Sequence, residues 1–250
     1  MLTNTDCDAA NGSVQKFCAV TFNIFYALRS RRVEQTILET FLRFKPDVIA
    51  LQEVWEGKKR NFVKNLAKKI GYHVSFASRS NFFGRKIGLA MLSSRPAENS
   101  YQISLSPRRA SLRPRILQLA TVTAGGARWI IAHAHLESVA SFRVRQLQLQ
   151  TIIKELGAYD ASLPVVLLGD FNTKNKREVA CFHVLLAEAG FSMPATQPFH
   201  TWNILGMHRQ LDWIVVRNGN FLDSGVLEKM KGSDHKPVWA RIQSRTASPA

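Results

Sequence analysis

Three cysteines in 250 residues are too few for a disulfide framework, and Cys7, Cys18 and Cys181 have no zinc-ligand spacing. Cys18 lies in an apolar strand-like run and Cys181 in a helix-like one, where a thiol serves as a small hydrophobe. Acidic residues are scarce as well: 18 Asp and Glu stand against 34 Lys and Arg, a formal net charge of +16. No apolar run approaches the roughly 20 residues that span a bilayer. Residues 1–15 lack the basic and apolar segments of a secretory signal. Linkers, repeats and low-complexity tracts are missing too. These absences exclude a disulfide-stapled module, a zinc ribbon, a helical membrane protein and a tandem array. The expectation is one domain over residues 1–250 in a reducing, cytoplasmic compartment, with 1–15 and 244–250 frayed.

The basic excess favours polyanionic partners, nucleic acid first and an anionic membrane surface second. Nothing in the sequence points to a protein partner. Strand-like and helix-like stretches alternate along the chain. Phe17–Asn23 and Asp47–Leu51 are apolar runs rich in β-formers, and Val33–Phe44 places Val33, Ile37, Phe41 and Phe44 on one helical stripe. Asn61–Ile70 is helical in pattern. Strands are expected near 73–77, 88–92, 101–105, 115–123 and 128–135, with Gly125-Gly126 turning the last two into a hairpin. A long helix over 138–156, a strand over 165–169 and a helix over 178–189 stopped by Gly190 follow. Strands near 211–217, 221–227 and 237–242 close the chain. Parallel-type and hairpin-type connections together argue for α/β architecture, mixed sheets with helices outside.

Polar residues cluster where these apolar strands end, which is where α/β folds place their sites. Asn23 ends the first strand, Glu53 the second, His135 the Ile-Ile-Ala-His-Ala-His run, and Asp170 and Asn172 the Val-Val-Leu-Leu-Gly-Asp-Phe-Asn run. Asp212 lies in Gln-Leu-Asp-Trp-Ile, and Asp234-His235 precede the final strand. A lone Asp at a strand end is usually a turn residue, and His133 and His135 alone would be core histidines. Six such elements in order are a different matter.

This set resembles the endonuclease/exonuclease/phosphatase superfamily from about Phe17 to Ile242. Leu51-Gln52-Glu53, Gly169-Asp170-Phe171-Asn172 and Ser233-Asp234-His235-Lys236-Pro237-Val238 carry the likeness, with Thr201-Trp202 and Gln210-Leu211-Asp212-Trp213-Ile214. The resemblance implies a four-layer αββα sandwich and a Mg²⁺-dependent phosphodiesterase, with Mn²⁺ as a substitute. It implies that Glu53 is the main metal ligand, with Asn23 and Asp234 close by. Asp170 and Asn172 would position the nucleophilic water and the scissile phosphate, and His135 would contact the phosphate. Asp212 would orient His235. The residue types suit the chemistry: Mg²⁺ takes oxygen ligands and keeps waters, and phosphodiester cleavage needs an in-line water, a base and charge neutralisation. Whether Asp170 or His235 accepts the water's proton stays open at this point.

His135-Leu136-Glu137-Ser138 with Arg143 and Gln146 is most similar to the branch containing the 5′-tyrosyl-DNA phosphodiesterases. A nuclease or DNA-end-processing enzyme is the first reading, and a lipid or inositol-phosphate phosphohydrolase the second. Substrate contacts are expected from Arg143 and from Lys174, Lys176 and Arg177, which follow the Gly-Asp-Phe-Asn motif. Two further basic clusters are Lys58-Lys59-Arg60 with Lys64, Lys68 and Lys69, and Arg108-Arg109 with Arg113 and Arg115. Arg60, Lys64 and Lys68 are spaced as a solvated helix face would be. The segment 79–86 interleaves Arg79, Phe82, Phe83, Arg85 and Lys86 in a loop-like pattern. Such a segment stacks bases, dips into an anionic lipid surface or buries its Phe side chains.

Overall fold

The computed structural model describes residues 15–27, 30–57, 61–82, 85–105, 114–195, 200–204, 207–228 and 232–245. Two mixed sheets face each other. The first has the order β12-β13-β1-β2-β4-β3 and the second β11-β8-β7-β6-β5. The strands of the first are β1 (Lys16–Asn23), β2 (Val48–Glu56), β3 (His73–Phe82), β4 (Arg85–Ser93), β12 (Gly219–Val226) and β13 (Val238–Ser244). Those of the second are β5 (Glu98–Ser104), β6 (Ile116–Ala124), β7 (Ala127–His135), β8 (Val165–Asp170) and β11 (Asp212–Arg217). Each sheet contains one parallel pair, β1 with β2 and β7 with β8, and every other named pairing within the two sheets is antiparallel. Parallel neighbours need a crossover. Helix α1 (Ser30–Phe44) supplies it in the first sheet and α3 (Phe142–Leu156) in the second.

Period-two alternation decides what faces what. Along β1, Phe17 and Ala19 point inward and meet Trp129, Ile131, Val166 and Ile214 of the opposite sheet. Phe17 and Trp129 stack at 4.7 Å between centroids. The outward residues Cys18, Val20 and Phe22 join Val33, Ile37, Leu66 and Ile70 under α1 and α2 (Phe62–Ile70). On the second sheet Leu149, Ile152, Leu156, Phe182 and Leu186 cover the outer face from α3 and α4 (Lys176–Glu188). The order helix, sheet, sheet, helix is the αββα sandwich the sequence implies. Among the described residues no helix is long and apolar enough to cross a membrane.

Helix α3 begins at Phe142 rather than near Ser138. The carboxylate of Glu137 accepts the backbone N–H groups of Ser138 and Val139, so that segment caps itself as a loop. Residues 79–82 and 85–86 are strand rather than loop, since β3 and β4 pair up to Phe82 and Arg85. Residues 83–84 and the side chains of Phe82 and Arg85 lie outside the described part, as do 58–60 and 106–113 with the basic residues they carry. A further hairpin, β9 (Trp202–Ile204) and β10 (Met207–Arg209), was not expected. Gln15 and Ser244, placed at the frayed ends by sequence, are buried and joined by a Ser244 N–H to Gln15 carbonyl bond of 3.0 Å. The rest of both tails lies outside the described residues, apart from Arg245, whose N–H donates to the Asn218 carbonyl.

At Gly169 of β8 the neighbouring strand β7 leaves no room for a side chain. The glycine's φ is 141°, and a Cβ there would lie 1.8 Å from the carbonyl oxygen of Ala134. That oxygen belongs to the backbone of a central strand and cannot swing away. Gly169→Ala is expected to lower the unfolding free energy by about 3 kcal/mol or more. An unchanged urea midpoint would contradict this close packing.

Candidate active site

The carboxyl ends of both parallel pairs open at the same edge of the sandwich. Asn23 and Glu53 arrive from β1 and β2, and His135 and Asp170 lie opposite each other on β7 and β8. Between them is an open cavity of about 330 Å³, lined also by Asn172, Lys174, Trp202, Asp234 and His235. Glu53 reaches it through a bulge. Leu51 pairs with Ala90 and Val54 with Gly88, so Gln52 and Glu53 together oppose one residue. Glu53 and Asn172 adopt left-handed backbone conformations, with φ of 55° and 53°. Such strain in non-glycine residues clusters at functional sites.

Asp170 is the hub. Its Oδ1 accepts the backbone N–H of Asn172 at 3.0 Å, and its Oδ2 accepts the side-chain amide of Asn23 at 2.9 Å, a bond that joins the two sheets. His135 Nε2 is 3.5 Å and His235 Nε2 3.8 Å from the same Oδ2. The Asn172 amide donates to the Leu136 carbonyl at 3.0 Å. His235 Nδ1 sits 2.8 Å from Asp212 Oδ2, and Asp212 itself is fully buried. Thr201 Oγ1 accepts the N–H groups of Leu211 and Asp212 and fixes that turn. Asp234 accepts a bond of 3.0 Å from the Trp202 indole.

Burial dominates the electrostatics. It raises Glu53 above the usual carboxylate range, against the nearby His235, Arg115 and Arg79. It lifts Asp170 to about 7, although the cationic form of His235 pulls the other way. It drives His135 well below the usual imidazole value, with Arg115 and Arg79 adding to the effect. For His235 burial works downward too, but the carboxylates of Asp212 and Asp170 outweigh it and raise the ring to about 10. One histidine is therefore neutral and the other cationic at neutral pH.

Two places offer clustered ligands. Asp170, Asp212 and His235 present atoms within 4.8 Å of one another, and Asp212 Oδ1 has no hydrogen-bond partner. Asp212, however, is fully buried against His235 and does not itself line the cavity. Glu53 Oε2 is buried without a hydrogen-bond partner, and Glu53 shares the cavity wall with Asn23 and Asp234. An oxygen-only set with an orphaned carboxylate oxygen suits a hard divalent cation that keeps several waters.

Of the basic residues expected at the rim, Lys174 lines the cavity. Lys176 and Arg177 are exposed on the first turn of α4, and Arg143 is exposed on α3, all three outside the lining. Lys64, Lys68 and Lys69 are likewise an exposed face of α2. On α3, Arg145 and Gln148 are buried in a network beside the site, while Gln146 donates to Cys181 Sγ at 3.1 Å. The Gln148 side-chain oxygen accepts the Glu137 N–H at 2.9 Å. Arg145 Nη2 donates to both carboxylate oxygens of Glu178 at 2.9 Å, and its Nη1 to the carbonyls of Glu137 and Ala140. Glu178 in turn accepts the Lys174 N–H at 2.7 Å. This pair ties the loop after β7 to the loop after β8. Asn175 followed by Glu178 is the capping pattern that marks it in sequence. Buried Arg115 lies against Glu137 at 3.5 Å and Ser138 Oγ at 3.1 Å, and with Arg79, Glu53 and His135 it walls a smaller adjoining cavity.

The endonuclease/exonuclease/phosphatase family matches over residues 20–235, and the chain belongs to that family. It is accordingly a metal-dependent phosphoester hydrolase. No curated protein is similar enough in sequence to match. The fold is shared with an endonuclease/exonuclease/phosphatase from Beutenbergia cavernae (TM-score 0.78, 19% identity, covering 93% of this chain and 72% of that one). It is shared with D. rerio TDP2 complexed with a single-strand DNA product (0.74, 19%, 91% and 98%). ANGEL2, a 2′,3′-cyclic phosphatase, is also similar (0.68, 14%, 93% and 96%).

The Arg145–Glu178 pair is nearly sealed from water, with side-chain exposures of 1% and 10%. Arg145→Met strands the carboxylate and is expected to cost about 3–5 kcal/mol of stability, whereas Arg145→Met with Glu178→Met should cost far less. Urea unfolding distinguishes the two. A double variant no more stable than the single one would rule out this account of the pair.

Proposed function

We propose that this protein is a Mg²⁺-dependent phosphodiesterase of nucleic acid, with Mn²⁺ able to substitute. The carrying observation is that one cavity is lined both by Glu53, Asn23 and Asp234, which offer oxygens, and by Asp170, Asn172, His135 and His235. Glu53 is the principal metal ligand in this reading, with Asn23 and Asp234 completing the oxygen set. The bound cation would polarise the phosphoryl group and offset its developing charge.

The chain's own groups divide the remaining work. Asp170 is fixed on both oxygens and set between two histidines, so it is placed to accept the proton of an attacking water. His235 is flanked by Asp212 and Asp170 and keeps its proton, which suits it to donate to phosphoryl oxygens rather than act as the base. Asn172 and neutral His135 contact the phosphate without adding negative charge. Lys174, with Lys176 and Arg177 behind it, would hold the flanking backbone phosphates, and the +16 net charge supports a polyanionic substrate. The likeness to a TDP2 solved with single-strand DNA agrees with this reading. The free thiols of Cys18 and Cys181 agree with a reducing compartment.

Hydrolysis should vanish with EDTA and return with Mg²⁺ or Mn²⁺, and Glu53→Gln should weaken metal binding far more than folding. Full turnover by a metal-free preparation would refute the metal assignment. Across plasmid DNA, single-stranded DNA, RNA, sphingomyelin and inositol phosphates, the nucleic acids should be the better substrates. Their affinity should fall linearly in log–log form with salt, by roughly 0.7–0.9 per phosphate contact. Reversing the charges of Lys174, Lys176 and Arg177 should flatten that slope. Efficient lipid or inositol-phosphate turnover with salt-independent DNA binding would replace this substrate class.

His235 and Asp212 should behave as one unit. The double alanine variant is expected to be little slower than His235→Ala alone, because groups acting together are non-additive. Additive losses in kcat would reduce Asp212 to a structural residue.

A further inference from the structure

Beneath the cavity lies a buried histidine that the reaction does not use. His133 stands two residues before His135 on β7 and is wholly enclosed. Its tautomer follows from its neighbours. The Gln118 amide nitrogen donates to the Ser75 carbonyl at 3.0 Å and to Ser75 Oγ at 3.1 Å, which leaves its oxygen facing His133 Nδ1 at 3.2 Å. Nδ1 therefore carries the proton. Nε2 is then an acceptor, and the Gln52 amide nitrogen lies 2.7 Å away. Burial pushes His133 down to about 3, so the ring stays neutral and the pattern holds. The same Gln52 nitrogen reaches Thr21 Oγ1 at 2.9 Å and the Ala50 carbonyl at 3.1 Å. Thr21, Gln52, His133, Gln118 and Ser75 thus form a polar layer that crosses from the first sheet to the second and back.

This layer sits directly behind the bulge that presents Glu53. Ala50 faces the inter-sheet core, while Leu51 and Val54 both belong to the outer, helix-covered cluster. Strict alternation would send Glu53 outward as well. The bulge places Gln52 and Glu53 consecutively on the inner side, and the backbone of Glu53 accepts a left-handed φ of 55° to do so. The Gln52 side chain is what anchors that arrangement to the opposite sheet. Its carbonyl oxygen is buried with no hydrogen-bond partner. The contact therefore carries a desolvation cost of its own.

We propose that Gln52 and His133 are positioning residues, whose hydrogen bond across the sandwich holds the bulge and so sets the affinity of Glu53 for a divalent cation. The inference rests on the reading of Glu53 as metal ligand. Partners that orient a ligand in this way commonly carry 10–100-fold of metal affinity.

The test is calorimetric titration of the whole protein with Mn²⁺, without substrate, beside urea unfolding. Gln52→Leu with His133→Leu leaves the buried Gln118 oxygen without its donor, so its urea midpoint is expected to fall, and the folded variant is expected to bind Mn²⁺ roughly 10-fold or more weakly. His133→Gln, which retains an acceptor, should recover most of the affinity. Should the double variant fail to fold, Gln52→Met removes the donor at nearly constant volume and is read in the same way. Unchanged Mn²⁺ affinity in these variants, with none left in Glu53→Gln, would overturn the positioning role and leave the metal assignment standing. Unchanged affinity in Glu53→Gln would overturn both.

Discussion

The face-to-face placement of two parallel strand pairs is the constraint on which the site depends. A parallel pair sends both carboxyl ends to one edge of its sheet. Because the sheets stack with those edges together, four strand ends meet across one gap, and their last inward residues are polar. The Asn23 to Asp170 hydrogen bond, 2.9 Å long and buried, is where the two sheets touch across that gap. Every other group in the site is placed relative to it. Asn172 hangs from the Asp170 carboxylate, His135 pairs in register with Asp170, and Glu53 follows Gln52, the partner of Asn23.

The space between the sheets is graded along the strands. At one end it is apolar, with Phe17, Ala19, Trp129 and Ile131 in contact. Next comes the layer of Thr21, Gln52, His133 and Gln118, uncharged but hydrogen-bonded. The ionisable groups come last, at the mouth. Each step toward solvent admits a more polar class of side chain, as the cost of desolvation falls. Carboxylates concentrate there in a chain that is otherwise strongly basic. Their neighbours at the mouth are histidines and arginines, so the charge is balanced locally while the exterior remains positive.

Much of this was legible in sequence because it rests on period-two alternation and on motifs at strand ends. Mixed sheets with helices over their faces follow from such local signals, while the four-layer sandwich and a shared site for Asn23, Glu53, His135, Asp170, Asn172, Asp234 and His235 come from the family resemblance that the motifs carry. The Arg145 brace follows from neither, because its partner Glu178 lies 33 residues further along the chain. The bulge at Glu53 was hidden for a similar reason, since it is defined by the register against β4. The β9–β10 hairpin is only three residues per strand, too short for a periodic pattern to show.

Glu53 and Asn172, two of the site's residues with left-handed backbone, lie just where a ladder ends or breaks, one in each sheet. A residue in regular pairing has its side-chain direction dictated by the pleat, inward or outward. Glu53 needs to leave an outward position, and Asn172 needs to fold back so that its amide meets the Leu136 carbonyl and its N–H meets Asp170. Both require a left-handed turn that pairing forbids. Strain of this kind persists only if the surroundings over-determine it. Here a buried polar layer stands behind one residue, and the Arg145–Glu178 brace, which ties the loop holding the other to the loop after β7, stands behind the second. The support that makes the site rigid is thus drawn from residues that never touch the cavity, which is why a reading confined to strand-end motifs finds the reacting groups and misses what holds them.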